Sequence, residues 1–290
     1  MIRNTIALCT AGILTLALPR AGLGQGADLS GMAGLLEKTA SSIVTVKVVI
    51  KTEFSMMGQA QNEESRSELQ GVVVDDTGLI MISNAEISAD RVMEALTSSG
   101  NPMMANVDLT MTPTDFKVIF GTEEEEYDAF LVAKDTKLDL AFLQVTGITD
   151  RTLATVSFAE GVTPAVGDTV VAIGRLKKGY DYAPYAATAR VSGAIRKPRK
   201  AWIIDGNIAS YGLPVFSSSG DVIGVLITLA PTTTDDSGGS GFGGMMRMLR
   251  GGGMDSSVGT FILPAKVVNG LIKQSRARAG KMLDEQAAED

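Results

Sequence analysis

The sequence predicts an all-β protein, and three observations carry that prediction. Short Val/Ile-rich runs recur along most of the chain, turn residues punctuate them, and helical periodicity is confined to the two ends. Pattern alone reaches a barrel or sandwich architecture. About 45% of the 290 residues are apolar, enough for a sizeable core, and with only 5 Tyr, 9 Phe and 1 Trp that core must be mostly aliphatic.

Residues 1–24 read as a removable targeting segment. Arg3 supplies the positive start, Ile6 to Leu18 form an apolar stretch short for a membrane span, and Gly22 and Gly24 are small residues suited to cleavage before Gln25. An uncleaved anchor is the alternative. Cleavage removes Arg3, Arg20 and Cys9, the sole cysteine, and takes the net charge from −7 to −9. The mature chain then has no disulfide and no thiol ligand, which fits export to a bacterial periplasm or cell envelope. Its acidity argues against nucleic acid as a partner, because phosphate-backbone binding depends on dense Lys and Arg.

Leu29, Met32, Leu35 and Leu36 predict a helix over 29–40, and Ile43 to Ile50 a strand. The polar stretch 51–70 reads as a long mobile loop. Gly71–Val74, the turn Asp75–Gly78 and Leu79–Ser83 form a hairpin signal, with Gly78 where a positive φ is needed. Residues 88–114 read as an irregular insertion. Strands follow at 116–120, 127–133 and 140–145. A second set covers 169–173, 186–195, 202–205, 213–216, 222–228 and 259–263. A turn occupies Ser217–Asp221, and a Gly/Ser/Thr/Met-rich insertion covers 231–257. Pro264 opens a helix to about Gly280, Pro being tolerated in a first turn, and residues 281–290 form an acidic tail.

Five stretches in order resemble the protease domain of the Deg/HtrA family of trypsin-fold serine proteases. Gly71 to Ile87 is similar to the family's hairpin ending Thr-Asn-Asn/Ala-His-Val. Ala133 to Val145 is similar to Asp-x-x-x-Asp-Leu-Ala-x-Leu-x-Val, and Val166 to Gly174 to Val-Gly-Asp-x-Val-x-Ala-Ile-Gly. Ser210 to Val215 with Gly220 to Val225 is similar to Asn-Ser-Gly-Gly-Pro-Leu and the strand after it. Gly259 to Pro264 is similar to Gly-Phe-Ala-Ile-Pro. The resemblance implies two packed six-stranded β-barrels of trypsin-like type with short N- and C-terminal helices. The first barrel, with the N-terminal helix, falls in 25–160 and the second, with the C-terminal helix, in 161–280. The active cleft lies between them, and the family's PDZ domain has no counterpart here.

The same resemblance assigns the catalytic positions. Asp139 holds the Asp position, Glu86 the His position and Tyr211 the Ser position, while Ala209, Ser210 and Gly212 occupy the oxyanion turn. The chain contains no histidine. A serine nucleophile needs a base that takes up and returns a proton near the working pH. A free Glu, with a pKa of about 4.3, is a poor base there unless a neighbour such as Asp139 raises it. A phenol with a pKa near 10 is a poor acyl nucleophile. Ser210, one residue off, is expected to point away from the cleft.

The favoured expectation is a catalytically inactive homologue acting by binding a protein or peptide. The 231–257 insertion, with its Met245–Arg250 stretch, reads equally as a docking segment for that partner and as a loop closing back on its own barrel. Alternatives are a hydrolase with an altered site and a regulatory subunit paired with an active homologue; homo-oligomers fit either. Without a His partner, Asp139 is favoured as structural. Glu86 and Tyr211 are expected to share a hydrogen bond that plugs the cleft, ahead of acting as a Tyr–carboxylate nucleophile. No cofactor or metal is expected, since two carboxylates fall short of a hard-cation site. Glu123–Glu126 and Arg196–Lys200 read as exposed turns.

Overall fold

The computed structural model describes residues 29–56, 59–90, 93, 107–148, 151–197, 199–206, 208, 210–228 and 260–289. The predicted targeting segment and the 231–257 insertion lie outside these residues. The first barrel comprises β1 (Ile43–Met56), β2 (Gln59–Val73), β3 (Leu79–Ser83), β4 (Val107–Phe120), β5 (Tyr127–Asp135) and β6 (Leu140–Val145), closed in the order β1-β2-β3-β6-β5-β4. The second comprises β7 (Thr169–Arg175), β8 (Pro184–Ile195), β9 (Ala201–Asp205), β10 (Pro214–Ser217), β11 (Val222–Thr228) and β12 (Thr260–Pro264), closed as β10-β11-β12-β9-β8-β7. Helix α1 (Leu29–Thr39) precedes the first barrel and α2 (Ala265–Glu289) follows the second. The two six-stranded barrels and the flanking helices agree with the expected architecture.

Alternation along the strands explains why they read as unbroken apolar runs. In β3, Ile80 and Ile82 join the interior of the first barrel, whereas Leu79 and Met81 join a core between the barrels. In β7, Val170 and Ala172 join the interior of the second barrel, whereas Val171 and Ile173 join the same shared core. Both faces of these strands are buried, so no polar face appears in the sequence. The shared core also takes Leu35 of α1 and Val268, Ile272 and Ala279 of α2, so both helices cap the junction.

Three predicted features are corrected. Residues 51–56 and 59–70 are strand, not a loop: β1 and β2 form one long hairpin, paired from Ile43↔Val72 out to Met56↔Gln59. The supposed insertion contains the start of β4, whose Val107–Thr114 pairs with the outer half of β1. Strand pairing there is sustained by main-chain hydrogen bonds that polar side chains do not prevent, although they hide it from a hydrophobicity reading. The acidic tail continues α2, with Met282 packed on the shared core. The Glu123–Glu126 turn is also more than a solvated tip. Glu123 pairs with Arg151 and Glu126 with Lys47, while the Tyr127 hydroxyl donates to Glu125.

Candidate functional site

The site is assembled where the ends of β3 and β6 meet the second barrel. After β3, the chain turns through Asn84 to Ile87, with the Ile87 N–H donating to the Asn84 carbonyl. The Asn84 N–H donates to the carbonyl of Asp139 at 3.0 Å, which draws the turns bearing Glu86 and Asp139 together. Asp139 is fully buried and adopts a left-handed φ of 60°, a conformation Asp tolerates better than most side chains. Thr228, at the end of β11, donates its hydroxyl to Asp139 Oδ2 at 2.9 Å, a side-chain bond from one barrel to the other.

Glu86 lines a cavity of about 510 Å³ together with Arg66, Ser67, Glu68, Leu69 and Lys177. Burial pushes its pKa up to about 7; the negative charge of Asp139 adds to the rise and the positive charge of Lys177 opposes it. The Glu86 and Asp139 carboxyls therefore sit within electrostatic reach of each other, Glu86 at the cavity and Asp139 fully buried.

The turn bearing Ser210, Tyr211 and Gly212 closes the same junction from the second barrel. Gly212 has a φ of 81°, and a Cβ added to it would lie 2.5 Å from the Ser83 backbone nitrogen. Only glycine lets this turn approach β3 so closely. The Gly212 N–H donates to the Leu226 carbonyl at 2.8 Å, two residues before Thr228 on β11. Ser210 accepts a hydrogen bond from Gln70 Nε2 at 2.8 Å. Tyr211 is half-buried and packs against the interior of the second barrel. The expected plug is not there: no hydrogen bond joins Glu86 to Tyr211 or to Ser210 among the described residues. Ala209 lies outside them.

Three groups that bind the barrels together were not singled out in the sequence. Gln70 uses its Nε2 on Ser210 and its Oε1 on the Arg175 N–H at 2.7 Å, so one side chain of β2 holds two segments of the second barrel. Arg175 is buried without a carboxylate partner among the described residues. Its guanidinium donates to the carbonyls of Ile43 at 2.7 Å, Tyr182 at 3.0 Å and Ala40. Burial lowers its pKa. The only hint in the sequence is a lone cation closing the otherwise apolar run Thr169–Arg175. The third group is Thr228, an ordinary strand-end threonine until its partner is known.

This pairing of double barrel and inter-barrel site coincides with a sequence match: the family described as trypsin-like peptidase domain matches residues 70–225, more than half of the chain. The chain belongs to the trypsin-like peptidase domain family. A search of curated proteins finds no match. The matched span contains Glu86, Asp139 and Tyr211. The Glu86 carboxyl, titrating at about 7, is able to exchange protons at neutral pH, but among the described residues it makes no hydrogen bond to the hydroxyl of Ser210 or Tyr211. Among the described residues, no cluster of three or more His, Cys, Asp or Glu is arranged to hold a metal ion.

Proposed function

We propose that this trypsin-like protein is a degenerate, Deg/HtrA-type homologue that is exported, does not cleave peptide bonds, and acts by binding a protein or peptide at the cleft between its barrels. The observation that carries this reading is the convergence at the junction of Glu86, Asp139 and the Tyr211–Gly212 turn, in a chain without histidine. General-base catalysis of acyl transfer needs the base within hydrogen-bond reach of its nucleophile. Glu86 bonds neither Ser210 nor Tyr211, and Ser210 already accepts from Gln70. Retention of the cleft without the chemistry supports a binding role over a catalytic one.

The test pairs unfolded casein with a fluorophosphonate probe, both offered to the purified chain across pH 5–9. No time-dependent cleavage and no covalent adduct are expected. An adduct on Ser210 or Tyr211, abolished by Ser210→Ala or Tyr211→Phe, overturns the proposal in favour of an altered hydrolase.

A further inference from the structure

Most acidic–basic contacts on this protein are balanced. Lys47 pairs with Glu126, Lys117 with Asp128, Lys134 with Asp90, Arg151 with Glu123 and Arg276 with Asp75. The turn joining β8 to β9 is an exception. Arg196, Lys197, Arg199 and Lys200 place four cations within five residues, in a chain where Asp and Glu outnumber Lys and Arg by 33 to 26. Arg196, Lys197 and Lys200 are exposed, and none of the four makes an ion pair among the described residues. Arg199 Nε has no hydrogen-bond partner either.

The cluster has a firm base. The Lys200 ammonium lies 5.5 Å from the centre of the Trp202 ring, and Trp202 itself is buried in the interior of the second barrel. The next residue in from the turn, Ala201, is fully buried. Three exposed cations therefore sit at the end of a hairpin fixed to a barrel, with the half-buried Arg199 beside them, and no ion pair among the described residues neutralises them. Their mutual repulsion is a standing cost that a contact with negative charge relieves. The overall acidity of the chain does not cancel this locally, because at physiological salt charges further than about 8 Å away are largely screened.

We propose that the β8–β9 tip docks on the anionic phospholipid surface of a membrane. Shape favours a planar array of phosphates over an acidic peptide: three of the cations are exposed along one short turn, and none of the four is among the residues that line the cavity beside Glu86. No described helix is long and apolar enough to cross a membrane. Contact through this tip is thus peripheral, electrostatic and salt-sensitive. This inference is independent of the proposed function and holds whether or not the cleft has activity.

Co-flotation of the full chain with vesicles tests it. Vesicles containing phosphatidylglycerol are expected to recruit the chain, and phosphatidylcholine vesicles are not. Recruitment should fall steeply between 50 and 500 mM salt. Each basic residue at an anionic surface raises partitioning about fivefold, so the triple variant R196Q/K197Q/K200Q should bind about a hundredfold more weakly. Arg199, half-buried, is left in place, and an unchanged circular dichroism spectrum establishes that the variant is folded. Three results overturn the proposal: equal recruitment to phosphatidylcholine, binding retained by the triple variant as an apolar N-terminal segment would produce, or capture by an acidic peptide or DNA with no binding to the anionic vesicles.

Discussion

Glu86 holds its proton more tightly in the fold than out of it, and this has a consequence for stability. Its carboxyl titrates at about 7 in the folded protein against an ordinary value of 4.5. Below pH 4.5 both states are protonated and the group is neutral to stability. As pH rises from 4.5 to 7 the unfolded chain releases the proton first, so stability falls, by an amount on the order of 3 kcal/mol once both states are ionised. Glu86→Gln removes this titration. Its stability relative to the parent is expected to rise between pH 4.5 and 7 and to level off above that, as read from urea midpoints at several pH values. A difference that does not vary with pH contradicts a carboxyl buried beside Asp139. The position of Glu86 was legible in the sequence because Gly71 to Ile87 carries a hairpin signature around it. The partners of Asp139 and Ser210 were not. Thr228 lies 89 residues from Asp139 and Gln70 140 residues from Ser210, and no local pattern encodes contacts between barrels.

At the scale of elements, strands buried on both faces were read with little error, and the strand solvated on both faces was missed. Val222–Thr228 of β11 lies where its apolar run predicts. The outer part of β2, from Gln59 to Glu68, carries Gln, Asn, Glu, Ser and Arg and has no face to bury, so composition made it a loop. The helix α2 was cut short at Gly280 for a related reason. Gly280 is exposed, with open space around it, and a solvent-facing glycine costs a helix only about 1 kcal/mol, less than the packing of Met282 beyond it returns. The hairpin makes a sharp prediction for hydrogen exchange. The outer half of β1 lies between β2 and β4, so successive amides from Lys51 to Phe54 bond alternately to one neighbour and the other. The outer half of β2 pairs only with β1. Amides of residues 51–54 should all be protected, whereas residues 61–68 should alternate between slow and fast exchange. Uniformly fast exchange across 59–68 would restore the loop reading.

The molecule as a whole is two barrels, and the question at this scale is whether they unfold as two units. Chains of this size with two substructures commonly do not unfold in a single step. Here the shared core argues for one. It draws Val72, Met81 and Phe142 from the first barrel, Ile173, Leu213 and Val225 from the second, and Leu35 and Ile272 from the helices. Polar ties run the same way: Thr228 to Asp139, Gln70 to Ser210 and to the Arg175 N–H, and Arg175 to Ile43 and Ala40. Separating the barrels would expose that core and leave the Arg175 guanidinium and the carbonyls it serves without partners, at about 1–3 kcal/mol for each buried group left unsatisfied. Unfolding of one barrel is therefore expected to take the other with it. Trp202, the single tryptophan, reports the second barrel by fluorescence, and far-UV circular dichroism reports both. The two denaturation curves should superimpose. Leu213→Ala, at a fully buried position of the shared core, should shift both equally by about 2–5 kcal/mol of stability. A fluorescence transition that moves while a second circular dichroism transition stays in place would make the barrels independent folding units, and the cleft a hinge between them instead of a fixed junction.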